Sequence, residues 1–320
     1  MAITKIHNSR VVTQTHHGVT WVDVQAPDSD DLAKLERDYH LHPVHLKESM
    51  QRVQHTQVER ERRYLFLVLR FPIFEARSDK IHIGQVGVFL GKDYLVTVHA
   101  DTSLFIEQLF AGHEHDPQQA EKCFRHGSGY VLHSLISQLL SDISDMMDTV
   151  EDDLDKIEGL VFENNGSDAE RIGRVRQKIV RLRRLIGPKR LLLQDLAEQI
   201  DSFTGQSMAR YYSNDLKVLN RLWDVIEEAK ETVEIYKDAD FTTSTEQTNK
   251  TLAVLTLVFT FTIPVTVLGA LYGMNVNLPG GLETGSWSFL GTYTTLGVVV
   301  TLSLLIALWM YVYFKKKRWL

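Results

Sequence analysis

The stretch TLAVLTLVFTFTIPVTVLGAL, running from Thr251 to Leu271, carries no charge, and its reading decides how the rest of the chain is understood. Leu252 to Leu271 holds twelve Leu, Ile, Val or Phe in twenty positions. A helix that crosses about 30 Å of hydrocarbon, rising about 1.5 Å per residue, needs about 20 predominantly apolar residues. At about −0.3 to −0.6 kcal/mol for each large apolar residue, insertion gains roughly −5 kcal/mol before the threonines and Pro264 subtract. The segment therefore predicts a transmembrane helix.

Downstream the pattern repeats. Thr251 to Phe314 spans 64 residues with one charge, Glu283, which separates charge-free runs of 32 and 31 residues. Phe289 to Phe314 predicts a second span. Lys250 precedes the first helix, Lys315-Lys316-Lys317-Arg318 follows the second, and the connecting loop has no Lys or Arg. That asymmetry predicts a C-terminal hairpin in the plasma (inner) membrane with both termini cytoplasmic. Tyr272, Trp287, Tyr293, Trp309, Tyr311 and Tyr313 fall near the predicted interfaces, where amphipathic rings settle. The opening Met-Ala-Ile-Thr-Lys has no apolar core of a secretory signal, so the first 249 residues are expected to stay cytosolic. Two helices cannot enclose an aqueous path, so transport would require an oligomer built as a symmetric ring, whereas a simple anchor requires none.

Composition bounds the remaining classes. Of 320 residues, 44% are hydrophobic and 24% charged, a globular average that excludes disorder and a collagen-like chain. The net charge of −6, from 35 Lys and Arg against 41 Asp and Glu, argues against a nucleic-acid binder that works by neutralising phosphates. One cysteine, Cys123, excludes an intrachain disulfide and reads as buried filler. The mean hydropathy of −0.14 averages a polar first part with an apolar last quarter.

Residues 1–125 read as an α/β domain. Arg10 to Thr15 and Val19 to Val24 flank a His-His-Gly turn, and Tyr64 to Phe71, Gln85 to Leu90 and Tyr94 to His99 give further strands. Asp31 to Tyr39 and Val44 to Met50 read as short helices, the first started by Pro27-Asp28-Ser29. Residues 126–205 read as a helical hairpin. Ser141 to Glu158 carries eight acids and one lysine, Asn164-Asn165-Gly166-Ser167 breaks the run, and Arg171 to Arg190 carries nine bases and no acid. Two solvated faces that attract each other explain that pattern; an acidic run that concentrates cations is the alternative. Gly187-Pro188 predicts a kink or break. Residues 206–250 form a stalk in which Leu219, Leu222, Ile226, Ala229, Val233 and Tyr236 make a packing seam. No Gly or Pro intervenes between Gln206 and Ile263, so one helix from about Ser207 to Leu271, roughly 100 Å long, is expected.

The first span closes on Tyr272-Gly273-Met274-Asn275, which resembles the signature of the CorA-type divalent cation channels. The resemblance continues in Trp21-Val22-Asp23-Val24 with Pro27, in Leu41-His42-Pro43, and in Gly91-Lys92-Asp93-Tyr94-Leu95 ending at His99. It extends to Asn249, 26 residues before Asn275, to Pro264 and to the basic tail, and so covers essentially the whole chain. It implies an α+β membrane protein arranged as a funnel-shaped homopentamer: cytosolic α/β domain, helical stalk, pore-lining transmembrane helix 251–272, external loop 273–288, second transmembrane helix 289–314 and cytosolic tail 315–320. It further implies that Gly273, Met274 and Asn275 form an outer selectivity filter for hydrated Mg²⁺. Such a filter is physically reasonable, because Mg²⁺ prefers hard oxygen ligands, gives up its water reluctantly, and is held without being trapped by neutral oxygens.

By the same resemblance Asn249, Leu252, Leu255, Phe259, Ile263 and Thr266 line the pore, with Leu252 and Leu255 as a constriction that closes by excluding water. From periodicity alone these positions read equally as lipid-facing or packing residues. Thr256, Thr260 and Thr262 are expected to bond to backbone or neighbouring helices. Asp238, with Asp215 and Glu231 as further candidates, corresponds to regulatory Mg²⁺ sites between subunits; a solvated surface acid is the plainer reading of each. The chain departs from the family in the loop after the motif. Val276 to Leu282 is neutral and Glu283 arrives late, where many members carry a short acidic segment.

Gly87 to Lys92 does not match a phosphate loop, since the spacing is one residue short and Asp93 stands where Ser or Thr belongs; no nucleotide site is expected. Nor is there a nucleophile, base and orienting acid at a recognisable spacing, so an enzyme is not expected. His40, His42 and His45, and His113 with His115, lack the closed ligand spacing of a zinc site. Two alternatives stay open: a zinc transporter of the same superfamily, and a membrane-anchored cytosolic sensor or scaffold.

Overall fold

The computed structural model describes residues 11–51, 58–75, 80–100, 104–162, 169–274 and 294–317. The chain divides into two compact units, Met1–Asp240 and Phe241–Leu320.

The N-terminal unit is built on a six-stranded sheet of order β1-β2-β6-β5-β4-β3. The strands are β1 (Val11–His16), β2 (Val19–Gln25), β3 (Val58–Arg60), β4 (Leu65–Glu75), β5 (Lys80–Leu90) and β6 (Tyr94–His99). All neighbours are antiparallel except β2 and β6. The β1–β2 turn places both His17 and Gly18 at positive φ, the conformation that a two-residue hairpin loop requires and that favours glycine. The parallel β2–β6 pair is tied together by buried polar side chains. Trp21 Nε1 donates to Thr97 Oγ1 at 3.2 Å, the Thr97 hydroxyl donates to Asp23, and His99 Nε2 lies 3.2 Å from both Asp23 oxygens.

Both faces of the sheet are covered, which explains why its strands read as nearly unbroken apolar runs. Phe66, Val68, Phe89, Val96 and Val98 point to one side, packing with Leu35 and Leu46 of the helices α1 (Ser29–Tyr39) and α2 (Pro43–Met50). Leu65, Leu67, Leu69, Val86 and Val88 point to the other, sharing a core with the helices α3 (Leu104–His115), α4 (Pro117–Arg125), α5 (Ser128–Phe162), α6 (Ala169–Thr204) and the start of α7 (Ala209–Gly273). A single core therefore crosses the change from α/β to helical sequence near residue 125. The start of α1 follows its sequence signal: the Asp28 side chain accepts from the amides of Asp30 and Asp31, and the Asp31 side chain accepts from the Asp28 amide.

Gly187-Pro188 does not end the helix, because α6 runs from Ala169 to Thr204 with Pro188 inside it. The glycine serves packing instead. A Cβ there would lie 3.1 Å from the Trp223 ring, and the Arg183 and Arg190 guanidinium groups each lie 5.3 Å from the centre of that ring. Positions 183, 187 and 190 share one helix face, so the missing side chain leaves a notch between two arginines that Trp223 of α7 fills.

Among the described residues the basic run of α6 pairs with α7 as well as with the acidic run of α5. Arg176 Nε donates to Glu234 at 2.6 Å, Arg183 pairs with Glu227, and Arg190 Nε donates to Asn220 at 2.7 Å. Toward α5, Lys178 donates to Asp153 at 2.9 Å, and Asp145, Asp148, Glu151, Asp152, Asp155 and Glu158 are exposed.

The expected seam is buried: Leu219, Ile226 and Val233 are fully enclosed, with Leu222, Ala229 and Tyr236 beside them. Asp201 of α6 begins the long helix by accepting from the amides of Met208 and Ala209, at 2.6 and 2.8 Å. The helix spans 65 residues, close to the length expected from the absence of Gly and Pro. The C-terminal unit holds the end of α7 and α8 (Thr294–Lys316).

Candidate functional site: the apolar end of α7

The most apolar eighteen residues of α7 have a mean hydropathy of 2.2, and none of them is buried within the chain. The corresponding part of α8 reaches 2.1, with 11% buried. Each helix is long and apolar enough to cross a membrane. A helix that is apolar all round and uncovered by its own chain needs hydrocarbon or other protein around it.

The small amount of burial in this unit is directional. On α7 the half-buried positions are Leu257, Thr260, Phe261, Pro264 and Leu268; on α8 they are Val299, Ile306, Ala307, Met310 and Phe314, with Ser303 buried. Each set falls at spacings of three and four, one stripe per helix, and the Phe261 and Phe314 rings lie 6.4 Å apart. Leu252, Leu255, Phe259, Ile263 and Thr266 lie on roughly the opposite side of α7. The four apolar residues among them are 53, 47, 54 and 56% exposed, and Asn249 and Thr266 are exposed as well.

The threonines of this segment turn to their own backbone. Thr256, Thr260, Thr262 and Thr266 donate to the carbonyls of Leu252, Thr256, Val258 and Thr262 at 2.7 to 2.9 Å. A hydroxyl so occupied is satisfied without water, which suits it to an apolar surrounding. Pro264 continues the helix but leaves the Thr260 carbonyl without its amide donor. On α8, Trp309, Tyr311 and Tyr313 are exposed near the basic end, and the Lys315 ammonium lies 5.8 Å from the Tyr311 ring.

α7 ends at Gly273, and Met274 follows with 56% exposure. A Cβ at Gly273 would meet nothing within 4 Å, and its φ lies outside the left-handed range. Among the described residues, then, none fills the space a side chain would take there. Asn275 and Glu283 lie outside the described residues.

The acids singled out from the sequence separate into two kinds. Glu231 and Asp238 are exposed on α7, the latter 3.5 Å from the Lys237 ammonium. Asp215 is 4% exposed and held inside its own chain, with His133 Nδ1 at 2.7 Å and the Ser137 hydroxyl donating at 3.2 Å. Asp215 thereby fastens α7 to α5 within its own chain. Among the histidines, His42 caps α2 by accepting from the Val44 amide, and His115 Nδ1 lies 2.8 Å from the Ala111 carbonyl. His113 is buried between Trp21 and Phe124, with Nδ1 at 3.0 Å from Gln14 Oε1, and burial pushes its pKa down to about 4. Cys123 is buried, and burial raises its thiol to about 11, which suits packing rather than nucleophilic chemistry.

An α/β unit from which a long helix runs on into an apolar segment, followed by a second apolar helix, defines a membrane protein with two C-terminal spans. The chain matches the CorA-like Mg²⁺ transporter protein family over residues 16–317, and it belongs to that family. The cobalt/magnesium transport protein CorA of Thermotoga maritima is 25% identical over 309 residues, 94% of this chain and 83% of that one. The complete structure of the CorA magnesium transporter from Methanocaldococcus jannaschii superposes with a TM-score of 0.72 at 20% identity, covering 97% of this chain and 94% of that one. The ZntB cytoplasmic domain from Vibrio parahaemolyticus superposes with a TM-score of 0.61 at 15% identity over 74% of this chain and 99% of that one, a likeness of fold.

Proposed function

We propose that the protein is a homopentameric channel through which hydrated Mg²⁺, with Co²⁺ and Ni²⁺ as further substrates, enters the cell. The carrying observation is the stripe from Leu252 to Thr266, uncovered and on the side of α7 away from α8. One neighbouring helix covers one side of α7, so the remaining circumference is available to lipid and to further copies of the chain. Five copies with this stripe facing inward enclose a path whose inner rings of Leu252 and Leu255 close it by excluding water. Gly273 adds support, since none of the described residues fills the space beside it, which leaves room for close approach of other copies or of a hydrated ion. The likeness to a cobalt/magnesium transport protein supports the choice of ion.

No separate energy source is needed. A divalent cation moving down an inside-negative potential gains about 4.6 kcal/mol per 100 mV, from about 2.3 per charge. In this reading both termini are cytoplasmic, and Asp238 and Glu231 approach neighbouring subunits through bound Mg²⁺. Loss of that ion leaves facing carboxylates to repel one another and open the ring. The test is Mg²⁺ flux into liposomes under an inside-negative potential, comparing the wild type with Asn275→Ala. Flux in the wild type and its loss in the variant are expected; equal flux in both refutes the filter. Zn²⁺ movement without Mg²⁺ movement assigns the chain to zinc transport instead.

A further inference from the structure

At the junction of α2 and β3 the fold gathers three side chains that the sequence keeps apart. His45 and Glu48 lie three residues apart on α2 and so share a face. Glu59 stands on β3 in register with Phe66 of β4, and the His45 ring stacks on Phe66 with centroids 4.5 Å apart and planes 13° from parallel. His45 Nε2 thereby comes 3.1 Å from Glu59 Oε2, and one ligand atom each from His45, Glu48 and Glu59 lie within 4.8 Å of one another.

The imidazole is held as a ligand needs to be held. His45 is 5% exposed, and its second nitrogen, Nδ1, lies 2.8 Å from the Tyr64 hydroxyl, which also accepts from the His42 amide at 3.0 Å. In the metal-free chain Nε2–H can donate to Glu59; when the ring instead carries its proton on Nδ1 and donates it to Tyr64, the Nε2 lone pair faces the carboxylates, an arrangement that a cation between them stabilises. A hydroxyl or carbonyl behind the coordinating nitrogen is the usual support of a metal-bound histidine. At bond lengths of about 2.0–2.2 Å, two donors in tetrahedral arrangement lie about 3.4 Å apart, so the 3.1 Å pair already fits and Glu48 closes by a side-chain rotation.

We propose that His45, Glu48 and Glu59 bind a borderline divalent transition ion, of the class of Zn²⁺, Co²⁺ and Ni²⁺, and that the bound ion ties the edge strand β3 to α2. One imidazole with two carboxylates suits that class, whereas Mg²⁺ prefers an all-oxygen octahedron that keeps most of its waters. The proposal stands independently of the transport reading, because all three residues belong to the N-terminal unit.

The test uses the full-length protein in detergent, stripped of metal by a chelator and titrated with Zn²⁺ in the presence of millimolar Mg²⁺. Glu48→Gln keeps the size of the side chain and leaves the His45–Glu59 pair in place, so its melting temperature without Zn²⁺ is expected to equal the wild type's. Expected is one Zn²⁺ fewer bound per chain, or an affinity at least about tenfold weaker, in Glu48→Gln and equally in Glu59→Gln. Co²⁺ in the wild type is expected to give intensified visible absorption that neither variant reproduces. Identical Zn²⁺ stoichiometry and affinity in the wild type and both variants, or no Zn²⁺ bound by the wild type, overturns the proposal. Ion flux is not the readout, so failure of the channel reading leaves this result standing.

Discussion

Replacing Gly273 by alanine separates folding from ion passage. A Cβ at this position meets no atom of the described residues within 4 Å and the backbone is outside the left-handed range, so those residues impose no steric cost. Alanine at the end of a helix instead gains up to about 1 kcal/mol over glycine. The melting temperature of Gly273→Ala in detergent is therefore expected to match or exceed that of the wild type. Flux responds in the opposite sense. In the proposed five-fold ring, with Gly273 at the filter, each new methyl would project toward the hydrated ion, and displacing one hydrogen bond costs about 0.5–1.5 kcal/mol. Five copies cost about 2.5–7.5 kcal/mol, which at about 1.4 kcal/mol per tenfold lowers flux on the order of 60-fold at the low end. Liposome flux and thermal melting of the same preparation measure both quantities. Unchanged flux with normal melting refutes the placement of Gly273 at a filter, and a fall in melting temperature refutes the claim that the chain leaves room for a side chain.

Other outcomes test the fold. A Cβ on Gly87 of β5 would overlap Ser49 Cβ and come 2.9 Å from Ser49 Cα, so Gly87→Ala must lift α2 from the sheet and is expected to destabilise by about 1–3 kcal/mol. Gly173→Ala in α6, where a Cβ meets nothing within 4 Å, is expected to stabilise by about 0.5–1 kcal/mol, and denaturant titration of the two variants should move in opposite directions. His113, lowered from 6.5 to about 4 by burial and by the nearby His16, stays neutral in the folded chain while the unfolded chain takes up a proton between those values. Stability should then fall as pH drops through that window by about 1.4 kcal/mol per unit and level off below it, with His113→Gln losing about 2 kcal/mol less than the wild type between pH 7 and 5.

The membrane segment was legible because hydrophobicity over twenty residues is a local, additive property: nothing elsewhere in the chain changes whether Leu252 to Leu271 suits hydrocarbon. The same holds for the long α7, predicted from the lack of Gly and Pro, and for most strands of a sheet buried on both faces. Strand β3 escaped detection because three residues carry no period, and its edge position comes from pairing with β4 rather than from its own composition. That Gly187-Pro188 does not break α6 was hidden for a related reason, since what the glycine accommodates is Trp223, 36 positions away in sequence.

At the candidate pore, sequence period alone left the stripe of Leu252, Leu255, Phe259 and Ile263 equally suited to lipid, packing or a channel. Which side of α7 meets α8 was settled by the Phe261–Phe314 contact and its neighbours, and that contact in turn leaves the stripe uncovered. The sequence by itself determined the family and the two apolar segments, and it carries the Gly-Met-Asn motif, because each is written in contiguous residues. Tertiary structure alone decided that Asp215 is occupied by His133 and Ser137, and that Glu59 joins His45 and Glu48. Those relations join residues 11 to 82 positions apart, and only folding fixes such distances.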